Sequence, residues 1–129
     1  RMLRLLQGDV GSGKTAVALM AMAEAVEFGG QAVLMAPTEI LARQHHASIS
    51  KMAEAADIDV TVLTARAKGK ERAAILARIA SGEAQIIIGT HALFQESVAY
   101  HNLVLAVVDE QHRFGVHQRL RLTATGTAP

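Results

Sequence analysis

The sequence predicts an α/β domain: a mostly parallel sheet with helices on both faces. Three observations carry this reading. Short apolar runs alternate with longer segments of helical spacing along the chain. The runs are apolar at consecutive positions, as in strands buried on both faces. The pattern G-x-x-x-x-G-K-[ST] stands at Gly8-Asp9-Val10-Gly11-Ser12-Gly13-Lys14-Thr15, between an apolar run and a helical pattern, which is the strand–loop–helix setting that the pattern requires.

The elements follow in order. Leu3, Leu5 and Leu6 form the first strand before Gly8. Leu19, Met22, Ala23 and Val26 then recur at i, i+3, i+4 and i+7, so they define one helix face, and Gly29-Gly30 stops that helix. Residues 31–36 read as a buried strand. Pro37 ends it, and Thr38 can cap the next helix. That helix is expected over 39–55, with Leu41, Ile49 and Met52 on its apolar face. Residues 59–64 are rich in β-branched side chains and give a third strand. Residues 66–70 form a basic, glycine-containing loop. Ile75, Leu76 and Ile79 mark a further helix, closed by Gly82. Residues 85–89 and 103–108 are the fourth and fifth strands, the last ending at Asp109-Glu110. Met20, Met22 and Met35 are expected to fill the core. Ligands of such sheets gather at the carboxyl ends of the strands. Residues 8–15, Thr38, Thr90-His91 and 109–112 should therefore share one edge.

Composition narrows the function classes. The 129 residues suit one domain with a sizeable core. Half are hydrophobic, which argues against disorder. No cysteine is present, so disulfides and thiolate metal sites are excluded; a reducing, cytoplasmic setting is expected. No apolar run approaches about 18 residues, so no membrane span is expected. Thirteen Lys and Arg stand against twelve Asp and Glu, so any contact with nucleic acid must be local. The aromatics are Phe28, Phe94, Tyr100 and Phe114, too few for a base-stacking platform. Arg1-Met2-Leu3 leads almost directly into a strand, so the chain is expected to be a fragment cut from a longer protein.

Two motifs carry chemistry. Glycines at 8, 11 and 13 let the main chain wrap an anion closely, and successive N–H groups with the following helix start form a phosphate nest. Lys14 can reach terminal phosphates as a point charge, and the Thr15 hydroxyl suits Mg²⁺. Downstream, Asp109-Glu110-Gln111-His112 follows an apolar strand. An acidic residue there, paired with a phosphate loop, is where nucleotide hydrolases hold Mg²⁺. Asp109 would hold the ion and Glu110 would polarise the attacking water. Alone, such a pair is just as well a solvated strand end. Catalytic candidates from these motifs are Lys14, Asp109 and Glu110, with residues 8–15 binding the phosphates of a nucleotide.

Asp-Glu-Gln-His is a variant of the DExH box of superfamily 2 helicases. The run Asp109-Glu110-Gln111-His112-Arg113-Phe114-Gly115-Val116-His117-Gln118-Arg119-Leu120 resembles the RecG family of bacterial ATP-dependent DNA helicases. So do Gln7-Gly8-Asp9-Val10-Gly11-Ser12-Gly13-Lys14-Thr15, Ala36-Pro37-Thr38-Glu39-Ile40-Leu41-Ala42 and Gly89-Thr90-His91-Ala92-Leu93. The resemblance implies that residues 1–129 are part of an ATP-binding RecA-like motor domain, truncated at both ends, that acts with a second such domain and a branch-recognising wedge domain to remodel branched or forked DNA in recombination and repair. It implies that residues 8–15 bind ATP, that Pro37-Thr38 and Thr90-His91 face DNA, and that Gln111 and His112 link the nucleotide site to the DNA-binding face, which adds His112 to the catalytic candidates. This chain departs from the family at Leu63-Thr64-Ala65, where members often read Leu-Thr-Gly, so a different turn is expected there. Thr123-Ala124-Thr125 lies too soon after Asp109 to be the next motor motif.

Rival readings are a transcription-repair coupling factor type of DNA translocase, a P-loop transferase, and a nucleotide-binding module without catalysis. The first usually carries Glu where Gln111 stands. The second needs an acceptor-binding lid, for which there is no candidate. Six histidines raise the question of a metal, but His45-His46 point to different helix faces and no HExxH is present, so surface or capping roles are expected. Arg66, Lys68, Lys70 and Arg72 suit either a solvated loop or DNA phosphates; Arg113, Arg119 and Arg121 pose the same choice.

Overall fold

The computed structural model describes residues 3–8 and 15–110. The order is β1 (Arg4–Gly8), α1 (Thr15–Glu27), β2 (Gln31–Met35), α2 (Glu39–Ala55), β3 (Val60–Leu63), α3 (Gly69–Ser81), β4 (Ile86–Gly89), a 3-10 turn (His91–Phe94) and β5 (Leu103–Asp109). The expectations for residues 9–14 and 111–129, including Gln111, His112 and the three following arginines, lie outside the described residues.

All five strands are parallel, in the order β1-β5-β2-β4-β3. Side chains alternate across the sheet, as the strand period of two requires. Ala32, Leu34, Ile86, Ile88 and Val107 pack with Ala18 and Met22 of α1 and with Ala42 and Ile49 of α2. Val33, Ile87 and Ala106 point the other way, onto Ile79 of α3 and Leu93 of the 3-10 turn. The steps β1 to β2 and β2 to β3 run one way across the sheet; the next two run back. The helices change face at that reversal, as a constant crossover hand demands. Helices on both faces are thus borne out.

Element ends follow local chemistry. Gly29 adopts φ 83° after α1, and Gly82 adopts φ 90° after α3, the left-handed region where glycine carries no Cβ penalty. Thr38 Oγ1 accepts from the Leu41 N–H at 3.1 Å, capping α2 as expected. Gly89 is needed for another reason: a Cβ there would stand 2.6 Å from the Leu63 carbonyl oxygen and 3.0 Å from Leu93.

Four expectations are corrected. Met20 is 71% exposed rather than core, because the buried face of α1 is Ala18, Met22 and Ala25. On α2, Met52 is exposed and Leu41 half-buried; the inward face is Ala42, His45, Ile49 and Ala53. Ile49 is fully buried as expected, and Ala42 and Ala53 beside it let the helix lie close to the sheet, so Met52 falls outside the face. Gly69 and Lys70 belong to the first turn of α3, not to a loop. His45 is buried, against the expectation of a surface or capping role.

Gln31 was read only as a strand start, yet it organises the end of the sheet opposite the candidate site. Its Nε2 donates to the Ile79 and Ala84 carbonyls at 2.9 and 2.8 Å. Its Oε1 accepts the N–H groups of His101 and Asn102 at 2.8 and 2.9 Å. One buried amide therefore joins α3 to the approach of β5.

Candidate functional site

The site is built from the carboxyl ends of the strands. Gly8 pairs in register with Asp109, so the start of the phosphate-loop pattern and the end of β5 are neighbours in the ladder. The Glu110 N–H donates to the Gly8 carbonyl at 2.8 Å, which extends that pairing one step. Asp109 is fully buried and Glu110 is 7% exposed. The solvated strand end is thereby excluded. Two carboxylates at such depth are costly unless hydrogen-bonded.

For Asp109, one partner is His45. Its Nε2 lies 2.8 Å from Asp109 Oδ2, and the imidazole is buried too. A carboxylate only accepts, so Nε2 carries the proton and donates. His45 reaches this point because it sits on the inward face of α2, the helix that Thr38 starts. The sequence reading missed it. The available signal was a polar residue in step with Ala42 and Ile49 on one helix face.

The other half of the edge carries the residues that the helicase resemblance assigns to DNA. Pro37 and Thr38 follow β2, held by the Ala36 N–H donating to the Gly89 carbonyl at 2.8 Å. Thr38 is exposed and Pro37 half-buried. Thr90 follows β4, and its Oγ1 accepts from the Ala92 N–H at 3.4 Å to start the 3-10 turn. His91 beside it is exposed. Beyond them, at the outer strand of the sheet, lies the segment after β3. There the Ala65 N–H donates to Glu39 Oε2 at 2.7 Å, and Arg43 Nη2 donates to Thr64 Oγ1 at 3.3 Å. Ala65 has no positive φ, so alanine is unstrained at the point where family members often have glycine. Arg66, Lys68 and Lys70 are exposed nearby, while Arg72 is half-buried and donates to Ser97 Oγ at 3.2 Å.

The expected convergence therefore holds for Gly8, Thr38, Thr90-His91 and Asp109-Glu110. The edge divides: β1 and β5 present the phosphate-loop start and the carboxylates, whereas β2, β4 and β3 present Thr38, Thr90 and the basic segment. Among the described residues, no group of three or more His, Cys, Asp and Glu could hold a metal by itself. The buried Asp109 and Glu110 carboxylates would instead suit Mg²⁺, which is held through one or two carboxylates together with substrate phosphates. A cavity of about 260 Å³ lined by Arg4, Glu24 and Phe28, among others, opens at the amino ends of β1 and β5, away from this edge. Among the described residues, no helix is long and apolar enough to cross a membrane.

Known proteins agree with this geometry. The DEAD/DEAH box helicase family matches residues 3–126. The chain is 54% identical over 129 residues to the ATP-dependent DNA helicase RecG of Bacillus subtilis (strain 168), covering all of this chain and 19% of that protein. It is 53% identical over 125 residues to the ATP-dependent DNA helicase RecG of Escherichia coli (strain K12), covering 97% of this chain and 18% of that protein. A solved structure of RecG bound to a three-way DNA junction superposes with a TM-score of 0.75 at 45% identity, over 88% of this chain and 16% of that one. The chain thus spans about a fifth of the length of the curated relatives it matches. With its parallel sheet, its phosphate-loop pattern and its Asp-Glu-Gln-His box, the chain belongs to the DEAD/DEAH box helicase family.

Proposed function

We propose that this chain is the first RecA-like, ATP-binding motor domain of a RecG-type DNA helicase, a cytoplasmic enzyme that remodels branched DNA and stalled forks in recombination and repair. The observation that carries the reading is the buried Asp109 carboxylate, in register with Gly8 at the end of a parallel sheet. The relatives' names supply the ATP dependence, and the junction-bound RecG structure supplies the DNA class.

In this reading residues 8–15 wrap the phosphates. Lys14 balances their charge, and Thr15 and Asp109 supply oxygen ligands. Mg²⁺, when bound, neutralises charge that develops on the transferred phosphoryl group. Glu110 orients and deprotonates the attacking water, and burial keeps competing solvent away. Pro37, Thr38, Thr90 and His91 meet the DNA backbone, and Gln111 and His112 connect the two halves. The second motor domain and the wedge domain of the same protein complete the machine.

The test is nucleotide binding by the full-length protein that carries these residues, read with a fluorescent ATP analogue and Mg²⁺. Saturable binding that Lys14→Ala abolishes supports the assignment. Binding indifferent to Lys14→Ala contradicts it.

A further inference from the structure

We propose that His45 is a positioning residue: its imidazole fixes the orientation of the Asp109 carboxylate for Mg²⁺–nucleotide binding. The inference rests on the reading of Asp109 as the magnesium-side carboxylate. His45 Nε2 and Asp109 Oδ2 are 2.8 Å apart, with side-chain exposures of 8% and 0%. A carboxylate turns about its last side-chain bond, so one fixed oxygen sets the plane of the group and the direction of the other. Ligating carboxylates are themselves hydrogen-bonded for this reason. His45 is also rigidly placed. Ala42 and Ile49, on the same face of α2, are fully buried against the sheet. The helix start is locked by the Thr38 cap and by the Glu39–Ala65 hydrogen bond. An imidazole buried among apolar side chains for packing alone would serve as well as a leucine. One that donates to a buried carboxylate would not.

The experiment uses the full-length protein with His45→Leu, His45→Gln and Asp109→Asn. It measures the Mg²⁺ concentration needed for half-maximal binding of a fluorescent ATP analogue, beside thermal unfolding. Leucine keeps the bulk and removes the donor; glutamine restores an N–H at similar reach. The expected result is a requirement raised about 10- to 100-fold in His45→Leu and largely restored in His45→Gln, with both variants folded. An unchanged requirement in His45→Leu overturns the proposal. So does an equal defect in both His45 variants that tracks loss of thermal stability, since that marks packing. If Asp109→Asn leaves the requirement unchanged, the reading of Asp109 itself fails, and that failure is distinct from an Asp109 effect that His45 does not share.

Discussion

The Ala65 N–H donates to the Glu39 carboxylate at 2.7 Å, fastening the segment after β3 to the first turn of α2. Glu39 also sits where the helix start favours negative charge. The residues assigned to DNA after β2 and the basic segment after β3 are thereby held as one rim, although they come from different crossovers. Removing the carboxylate should loosen that rim without disturbing the core. Glu39→Ala is expected to cost about 0.5–1 kcal/mol, the range for an exposed charge-assisted contact, and to speed amide hydrogen exchange at Ala65. Glu39→Gln should recover most of the protection. Unchanged exchange at Ala65 in Glu39→Ala would show that the bond does not hold in solution.

Gln31 is expected to be the most sensitive polar residue outside the candidate site. Gln31→Leu removes four hydrogen bonds and takes their partner from the His101 and Asn102 N–H groups and the Ala84 carbonyl, while the Ile79 carbonyl keeps the Gly82 N–H. Unsatisfied buried groups cost about 1–3 kcal/mol each, so urea unfolding should show a loss of at least about 2 kcal/mol. Gln31→Glu keeps the acceptor and loses the donors, and should fall between.

Gly89 is predicted to resist even alanine. The added Cβ would press on the Leu63 carbonyl and Leu93, and the β3–β4 pairing would have to open. Gly89→Ala is expected to destabilise by about 1–3 kcal/mol, as overpacking does. Gly29→Ala has open space and meets only the strain of a positive φ, so it should cost less. Paired denaturation curves would rank the two.

Tyr100 gives a pH prediction with a clean reporter, since the chain has one tyrosine and no tryptophan. Burial pushes its phenol above the ordinary value near 10, and its hydroxyl donates to the Leu93 carbonyl at 2.8 Å. A raised folded-state value means that folding disfavours the phenolate. This contribution to stability is complete below about pH 10 and declines as pH rises above it. Phenolate absorbance should therefore lag behind that of free tyrosine, appearing together with unfolding. A titration at the ordinary value in the folded protein would contradict the burial of Tyr100.

These cases show which parts of the structure were legible in the sequence. Strands were read from consecutive apolar positions, and helix limits from Thr38, Gly29 and Gly82, because those signals are local. The inward face of α2 was legible only in part: Ile49 is buried and Leu41 packs at its margin, but Met52 is exposed and the alanines Ala42 and Ala53 complete the face, since hydrophobicity alone does not register close approach. His45 and Gln31 were missed for a different reason. Asp109 stands 64 residues from His45, and the partners of Gln31 stand 48 to 71 residues from it. A polar side chain chosen for a distant partner leaves no periodic trace. The phosphate-loop pattern and the acidic box were legible as motifs. Their meeting at Gly8 and Asp109 depended on the strand order.

The most direct test of the central claim is the ATPase rate of the full-length protein with and without forked duplex DNA, compared with its Glu110→Gln variant. The account predicts strong stimulation by forked DNA in the parent. In the variant, turnover should be lost while nucleotide binding is kept, because Glu110 acts on water rather than on phosphate. Turnover indifferent to DNA, or a Glu110→Gln variant as active as the parent, would contradict it.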